Sequence, residues 1–73
     1  MPIIDMAATG QNIRDMRMAA GVTIKDMQDK IGVSAQAICK WQKGDAMPTI
    51  DNMVIIAAIL NTTIDQIIVT QII

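Results

Sequence analysis

The sequence TIKDMQDKIGVSAQAICKWQKG, residues 23–44, decides the fold of this protein. It holds two apolar patterns of helical spacing with Gly32 between them. Thr23 and Ser34 precede the two patterns, and a hydroxyl side chain at such a position caps a helix by accepting a backbone N–H. Gly32 and Gly44 follow them, and glycine readily takes the left-handed backbone that ends a helix. The stretch therefore predicts two short helices joined by a turn too tight for antiparallel packing, which is a helix-turn-helix geometry.

The second of these helices, from Ser34 to about Lys43, has distinct inward and outward faces. Ile38 and Trp41 are three residues apart, so they share one side of the helix with Ala37 and are expected in the core. Trp41 could instead stack on a nucleic-acid base, but its spacing from Ile38 favours the core. The residues expected to face outward are Ala35, Gln36, Cys39, Lys40 and Lys43.

Similar signals predict a helix before this pair and two after it. The first helix is expected from about Thr9 or Gly10 to Ala20. Pro48 cannot continue a helix, and Thr49 behind it caps a fourth helix. The expected buried stripes are Ile13, Met16 and Ala20 in the first helix, Met27 and Ile31 in the second, Ile50, Met53, Val54, Ala57 and Leu60 in the fourth, and Ile64, Ile67 and Ile68 in a short fifth.

These boundaries divide the chain into three parts. Residues 1–8 form an N-terminal extension, residues 9–68 form the helical domain, and residues 69–73 form an apolar tail. The tail is rich in β-branched side chains, which favour strands, so both a helical continuation and an extended segment are compatible with it.

Length and composition limit the chemistry that the chain can perform. Its 73 residues make one domain, whose small core favours sharing apolar surface with a second subunit. The chain has no histidine and one cysteine, which excludes a catalytic triad, a zinc site and a Cys/His pair. We therefore expect no enzymatic activity, no cofactor and no metal. The apolar run Met53–Leu60 is too short to span a membrane, and the N-terminus lacks the pattern of a secretory signal, so a cytoplasmic location is expected.

Positive charge is concentrated in the middle of the chain. The net charge is −1 and the isoelectric point is about 4.8, which by themselves argue mildly against a nucleic-acid partner. Residues 23–44, however, hold four lysines against two aspartates, whereas residues 45–73 hold three aspartates and no basic residue. The predicted helix-turn-helix is thus the basic part of an otherwise acidic chain.

The stretch 23–44 with its flanking segments resembles the Cro/C1-type (XRE) helix-turn-helix family of bacterial and phage regulators. The flanking matches are Asn12–Arg17 before it and Pro48–Leu60 and Asp65–Ile68 after it, so the resemblance extends from about Gln11 to Ile68. It implies an all-α, five-helix fold like that of the lambda repressor DNA-binding domain. It also implies that helix 34–43 enters the major groove of double-stranded DNA.

The resemblance also implies which side chains would meet DNA. Its base-reading positions correspond here to Ala35, Gln36, Cys39 and Lys40. We expect phosphates to be bound by the hydroxyl and ammonium donors of Thr23, Lys25, Ser34 and Lys43. A glutamine amide can bind adenine N6 and N7 together, and a lysine can reach guanine or a phosphate. Each of these residues also has a simpler interpretation, because surface lysines are commonly only solvated and a lone cysteine is commonly only a small residue that fits.

Position 42 departs from the family pattern. The arginine of the first helix, here Arg17, commonly pairs in the family with an acidic residue late in the recognition helix, and that position is Gln42 here. We therefore expect a neutral amide contact, which is weaker than a charge-assisted one.

The end of the chain carries more apolar surface than one small core can absorb. We predict that it forms the interface of a homodimer, whose two recognition helices would lie about 34 Å apart on a pseudo-palindromic operator. The alternative is a tail that folds back on its own helices. The residues of the predicted interface are Ile64, Ile67, Ile68, Val69, Ile72 and Ile73.

The sequence thus predicts a sequence-specific DNA-binding transcription regulator, most simply a repressor. A second hypothesis is a protein-interaction module of the same fold that does not bind DNA, such as an antitoxin-like protein or a regulator's partner, and the acidic isoelectric point favours it. An enzyme would require several aspartates clustered in one pocket.

Overall fold

The computed structural model describes residues 1–73 and contains five helices and two short strands. None of the helices combines the length and apolar character needed to cross a membrane. In chain order the elements are β1 (Pro2–Ile4), α1 (Met6–Ala19), α2 (Ile24–Ile31), α3 (Ala35–Lys43), α4 (Ile50–Ile59), α5 (Ile64–Ile67) and β2 (Thr70–Ile72).

Helices α2 and α3 begin and end where their local signals predict. The spacing of Thr23 and Asp26 predicts a capping box, and both of its hydrogen bonds are present: Thr23 Oγ1 accepts from the Asp26 N–H and Asp26 Oδ2 accepts from the Thr23 N–H, each at 3.0 Å. Ser34 Oγ accepts from the Ala37 N–H at 3.1 Å. Gly32 and Gly44 end the helices with φ of 82° and 79°. The helix-turn-helix prediction is confirmed.

Helix α1 begins at Met6 rather than at Thr9 or Gly10, so that expectation is wrong by about one turn. Asp5 caps it by accepting the Ala8 N–H at 3.0 Å. Gly10 lies inside the helix and is buried where α1 crosses the end of α3. A Cβ at Gly10 would overlap the carbonyl oxygen of Trp41 and lie 2.7 Å from that of Gln42. Gly10 therefore permits close helix packing and does not mark a helix end.

Helix α4 is rotated relative to its expected stripe. Met53, Ala57 and Leu60 are buried as predicted, but Ile50 is 70% exposed and Val54 is 53% exposed. Ile56, which is not part of the expected stripe, is fully buried. Because nearly every side of this helix is apolar, hydrophobic spacing alone cannot determine which side meets the core.

Side chains from all five helices meet in one core. Helix α1 packs against α3, and α2 packs against both α3 and α4. Trp41 is buried at the end of α3, which confirms its prediction as a core anchor. The buried apolar residues are Ile13, Met27, Ile38, Trp41, Met53, Ile56, Ala57, Leu60 and Ile67.

The two ends of the chain pair as an antiparallel ribbon, β1 with β2, that adds a small sheet to the predicted all-α fold. Pro2 lies opposite Ile72, Ile3 opposite Gln71, and Ile4 opposite Thr70. Of the two conformations left open for the tail, the extended one is therefore present. The N-terminal extension is its partner, which sequence spacing could not indicate because the two strands lie at opposite ends of the chain.

Polar groups of α1 anchor this ribbon to the helices. The buried Thr9 hydroxyl accepts from the Val69 N–H at 2.9 Å and donates to the Val69 carbonyl at 3.4 Å. Asn12 Nδ2 donates to the Ile67 carbonyl at 3.1 Å, and the Asp5 N–H donates to the Val69 carbonyl at 2.7 Å. Helix α1 thus contacts α3 and also holds the ribbon.

Candidate nucleic-acid interface

Helix α3 has one buried and one accessible side. Ile38 and Trp41 fix one side of it to the core, so the opposite side of the helix faces away from the core. Gln36, Lys40 and Lys43 are exposed. Ala35 and Cys39 are partly buried but lie on the same accessible side. All four predicted base-reading residues therefore lie on one surface.

The two cap residues of the helix-turn-helix each have a hydroxyl hydrogen left for a ligand. Thr23 and Ser34 are both exposed, and each uses its oxygen to accept a backbone N–H at the start of a helix. A hydroxyl that accepts one hydrogen bond can still donate its own hydrogen. Both residues can therefore cap a helix and bind a phosphate oxygen at the same time.

Lys25, predicted to bind phosphate, forms an ion pair with Asp29, with Nζ 3.5 Å from Oδ2. Both side chains are largely exposed, and exposed pairs of this kind contribute about 0–1 kcal/mol. A DNA phosphate can therefore replace the Asp29 carboxylate at little cost. Lys43 is in no ion pair, so its ammonium group is available directly.

Arg17 joins α1 to α3 through the neutral contact that its sequence context predicts. Its Nε donates to Gln42 Oε1 at 2.9 Å, and its Nη1 donates to the Val22 carbonyl at 2.8 Å. The same guanidinium thus also holds the loop that precedes α2. It positions α3 and is not one of the groups on the accessible face.

The capping box at the start of α2 also lowers the pKa of its carboxylate. The hydrogen bond from the Thr23 backbone N–H holds the pKa of Asp26 below its usual value, and the Thr23 side chain lowers it further. Desolvation opposes them, and the nearby charges of Lys30 and Lys25 lower the pKa by smaller amounts. Asp26 therefore stays ionised at neutral pH as part of the capping box.

A cleft between α1 and α3 adjoins the accessible face of α3. It has a volume of about 430 Å³, and we call it the α1–α3 cleft. Sequence reasoning missed it because it started α1 too late to include Ala7, which shares one side of the helix with Gln11 and Arg14. The residues that line the cleft are Ala7, Gln11, Arg14, Cys39, Gln42 and Lys43.

The six residues predicted to form a subunit interface lie in different environments. Ile67 is fully buried in its own subunit, and Ile64 and Ile68 pack against the same core. Val69 is half-buried against α1, whereas Ile72 is 82% exposed and Ile73 is 77% exposed. The structure therefore offers only the ribbon end of the predicted set to a partner. It also exposes an apolar side of α4, at Ile50 and Val54, that the sequence did not indicate.

Residues 13–67 match the sequence profile of the helix-turn-helix family, so the chain belongs to the Cro/C1 type of that family. Over 56 residues it is 34% identical to the transcriptional repressor RstR of the cryptic phage CTXphi, from Vibrio cholerae serotype O1. That match includes 77% of this chain, which spans about half the length of RstR.

Two solved structures share the fold. The restriction-modification controller protein C.AhdI from Aeromonas hydrophila superposes with a TM-score of 0.77 at 19% identity, covering 86% of this chain and 96% of C.AhdI. The clp gene regulator ClgR from C. glutamicum superposes with a TM-score of 0.75 at 18% identity, covering 85% of this chain and 80% of ClgR. The predicted five-helix architecture of this family is confirmed.

Proposed function

We propose that this protein is a sequence-specific, double-stranded DNA-binding transcription regulator that acts as a repressor. Residues 34–43 insert into the major groove, and two copies bind one pseudo-palindromic operator. The observation that carries the proposal is the accessible side of α3, where Gln36, Lys40 and Lys43 are exposed while the opposite side is fixed in the core. The similarity to RstR, a phage repressor, supports the direction of regulation.

The accessible side chains have the chemistry of base and phosphate recognition. The Gln36 amide has a donor and an acceptor, which is the combination that adenine requires in the major groove. Lys40 donates to guanine O6 and N7 or to a phosphate, and Ala35 and Cys39 are small enough to let the helix approach the bases. Thr23, Lys25, Ser34 and Lys43 bind phosphates on either side.

A single copy would bind weakly, because few cations surround the reading helix and affinity for DNA rises with the number of phosphates neutralised. Two linked copies bind far more tightly because the second contact becomes intramolecular. The function therefore depends on a dimer contact that leaves both α3 helices accessible.

The free edge of β2 is our candidate for that contact. The Asp5 N–H donates to the Val69 carbonyl and the Ile73 N–H donates to the Met1 carbonyl. The backbone groups of the odd-numbered residues therefore hydrogen bond across the ribbon. In an antiparallel ladder, the even-numbered residues then direct their backbone N–H and C=O groups away from the paired strand. On β1 one of these is Pro2, which has no N–H, whereas on β2 both Thr70 and Ile72 have complete backbone groups. The edge of β2 is thus the one able to pair with a second copy.

The test of DNA reading is the double variant Gln36→Ala/Lys40→Ala, compared with Gln28→Ala/Lys30→Ala on α2 as a matched control. Each is titrated by fluorescence anisotropy against the protein's own promoter and a scrambled duplex at several salt concentrations. We expect the first variant to lose its preference for the promoter with a nearly unchanged melting temperature, and the control to keep it. An unchanged preference in the first variant would show that the reading face is elsewhere.

The same titration distinguishes the regulator from the second candidate function. A protein-interaction module that does not bind DNA is favoured by the acidic isoelectric point and the exposed apolar side of α4. If wild-type protein binds neither duplex at about 50 mM salt, where phosphate contacts are strong, the interaction module replaces the regulator.

A further inference from the structure

We propose that the α1–α3 cleft is a binding site for a phosphate group, and that the group comes from the backbone of the duplex read by α3. This inference rests on the proposed function and adds α1 to the surface that binds DNA. Its observations are the shape of the cleft, the charge of its lining and the direction of the Gln42 amide.

The lining of the cleft is basic and has no acidic member. Arg14 reaches it from α1 and Lys43 from α3, and neither belongs to an ion pair in the structure. The nearest carboxylate by hydrogen bonding is Asp15, which accepts from Gln11 Nε2 at 2.8 Å and does not line the cleft. Two cations held on facing helices, with no carboxylate between them, can both donate hydrogen bonds to one anion such as a phosphate.

Gln42 gives the cleft a donor. The Arg17 guanidinium has only donors, so the atom that it contacts must be the amide oxygen of Gln42. The amide nitrogen of Gln42 is therefore left as a donor, and it has no partner in the structure. A carboxylate at this position would bind Arg17 more strongly but would add a negative charge to the cleft lining.

Helix dipoles do not cancel the attraction of the cleft for an anion. The start of α1 lies against the end of α3, since a Cβ on Gly44 would lie 2.7 Å from the Ala7 Cα. The positive end of one helix dipole thus meets the negative end of the other. Side chains therefore set the sign of the potential in the cleft, and they are basic.

The position of the cleft selects the backbone of DNA as the source of the phosphate. Cys39 and Lys43 line the cleft and lie on the same accessible side of α3 as Gln36 and Lys40. A duplex that reaches those side chains therefore passes the mouth of the cleft. The volume of about 430 Å³ also suits a free phosphorylated small molecule, because such ligands occupy sites of about 300–1,000 Å³. The experiment must separate the two sources.

The decisive variant is Gln42→Glu. It adds a carboxylate to the cleft and gives Arg17 a charge-assisted partner, so we expect binding to weaken while the melting temperature stays the same or rises. Arg14→Gln removes one cation, and Lys30→Gln on α2 is the control of equal charge change. Each protein is titrated with a scrambled 20-base-pair duplex at several salt concentrations and, separately, with inorganic pyrophosphate followed by NMR.

We expect Arg14→Gln to lower the slope of log affinity against log salt by about 0.9 for each bound subunit, the value for one lost phosphate contact, with Lys30→Gln unchanged. If wild type binds the duplex and both cleft variants keep its affinity and slope, the inference is wrong although the proposed function stands. If wild type binds neither this duplex nor the protein's own promoter, the proposed function fails. Pyrophosphate binding that Arg14→Gln abolishes, with duplex binding unaltered, would overturn the DNA source and assign the cleft to a free ligand.

Discussion

The helix-turn-helix, residues 23–44, and the terminal ribbon, residues 1–5 with 69–73, are held by opposite kinds of contact. The caps of α2 and α3 join residues three positions apart in sequence, whereas the bonds between Thr9 and Val69 span sixty positions. The outer face of the first region is basic, while the ribbon presents exposed isoleucines and no basic side chain. The helix-turn-helix is therefore specified by local signals, whereas the ribbon depends on contacts between distant parts of the chain.

Helix α1 connects the two regions, because one side of it packs on α3 and its polar residues hold the tail. This division predicts a hierarchy among variants. Changes where α1 meets α3 affect both regions, changes at Thr9 affect the ribbon, and changes in a cap affect the helix-turn-helix alone.

The largest effect is expected for Gly10→Ala. The added methyl group would overlap backbone carbonyls of α3, which cannot move as a flexible side chain can, so α1 must separate from α3. We expect a loss of about 3 kcal/mol in the free energy of unfolding, near the upper end for overpacked sites. For a domain of this size that lowers the melting temperature by about 12 °C or more.

The control is Gly21→Ala, where the backbone is left-handed but nothing lies within 4 Å of the new Cβ. Urea unfolding should show a smaller loss there, about 1 kcal/mol, from backbone strain alone. Equal losses for the two variants would mean that close packing at Gly10 does not join the two regions.

Thr9→Val should loosen the ribbon while sparing the helix-turn-helix. The replacement has the same shape, but it leaves the Val69 N–H without its acceptor, which costs about 1–3 kcal/mol when the group is buried. Hydrogen exchange should accelerate at residues 69–73 and stay unchanged at residues 35–43. Thr70→Val, at an exposed position, is the control, and uniform acceleration in both regions would contradict the separation.

Ile72→Pro tests whether the ribbon pairs two copies. It removes an outward N–H from β2, so we expect sedimentation to show monomers, with the monomer's unfolding free energy changed by less than about 0.5 kcal/mol. Val54→Lys charges the exposed side of α4 instead and should leave the dimer intact. Monomers in the α4 variant and dimers in Ile72→Pro would move the interface to α4.

The sequence could predict the regions whose signals are local and could not predict those that depend on distant contacts. Thr23, Ser34, Gly32 and Gly44 act within one or two turns, so their roles follow from spacing. The role of Gly10 depends on a helix that lies thirty residues further along the chain. Its local sequence is equally compatible with a helix end.

The same limit explains the errors in α4 and in the candidate site. An apolar residue at nearly every position of α4 gives no preferred side, so only packing selects Ile56 over Val54. The accessible side of α3 follows from the spacing of the apolar residues in that helix. The cleft depends on how α1 crosses α3, and this crossing brings Arg14 near Lys43.

The smallest effect should be confined to the helix-turn-helix and depend on pH. Because the pKa of Asp26 is lower in the folded chain than its usual value of 3.8, its carboxylate stabilises the fold at pH values above that number. This contribution is lost as pH falls through the lowered pKa, since protonation then occurs in both folded and unfolded chains. Urea midpoints of wild type and Asp26→Asn should therefore differ at pH 7 and converge well below pH 3.8. Hydrogen exchange at residues 69–73 should be the same in both proteins at pH 7, because no ribbon contact involves the capping box; a change there would show that the two regions are coupled through more than α1.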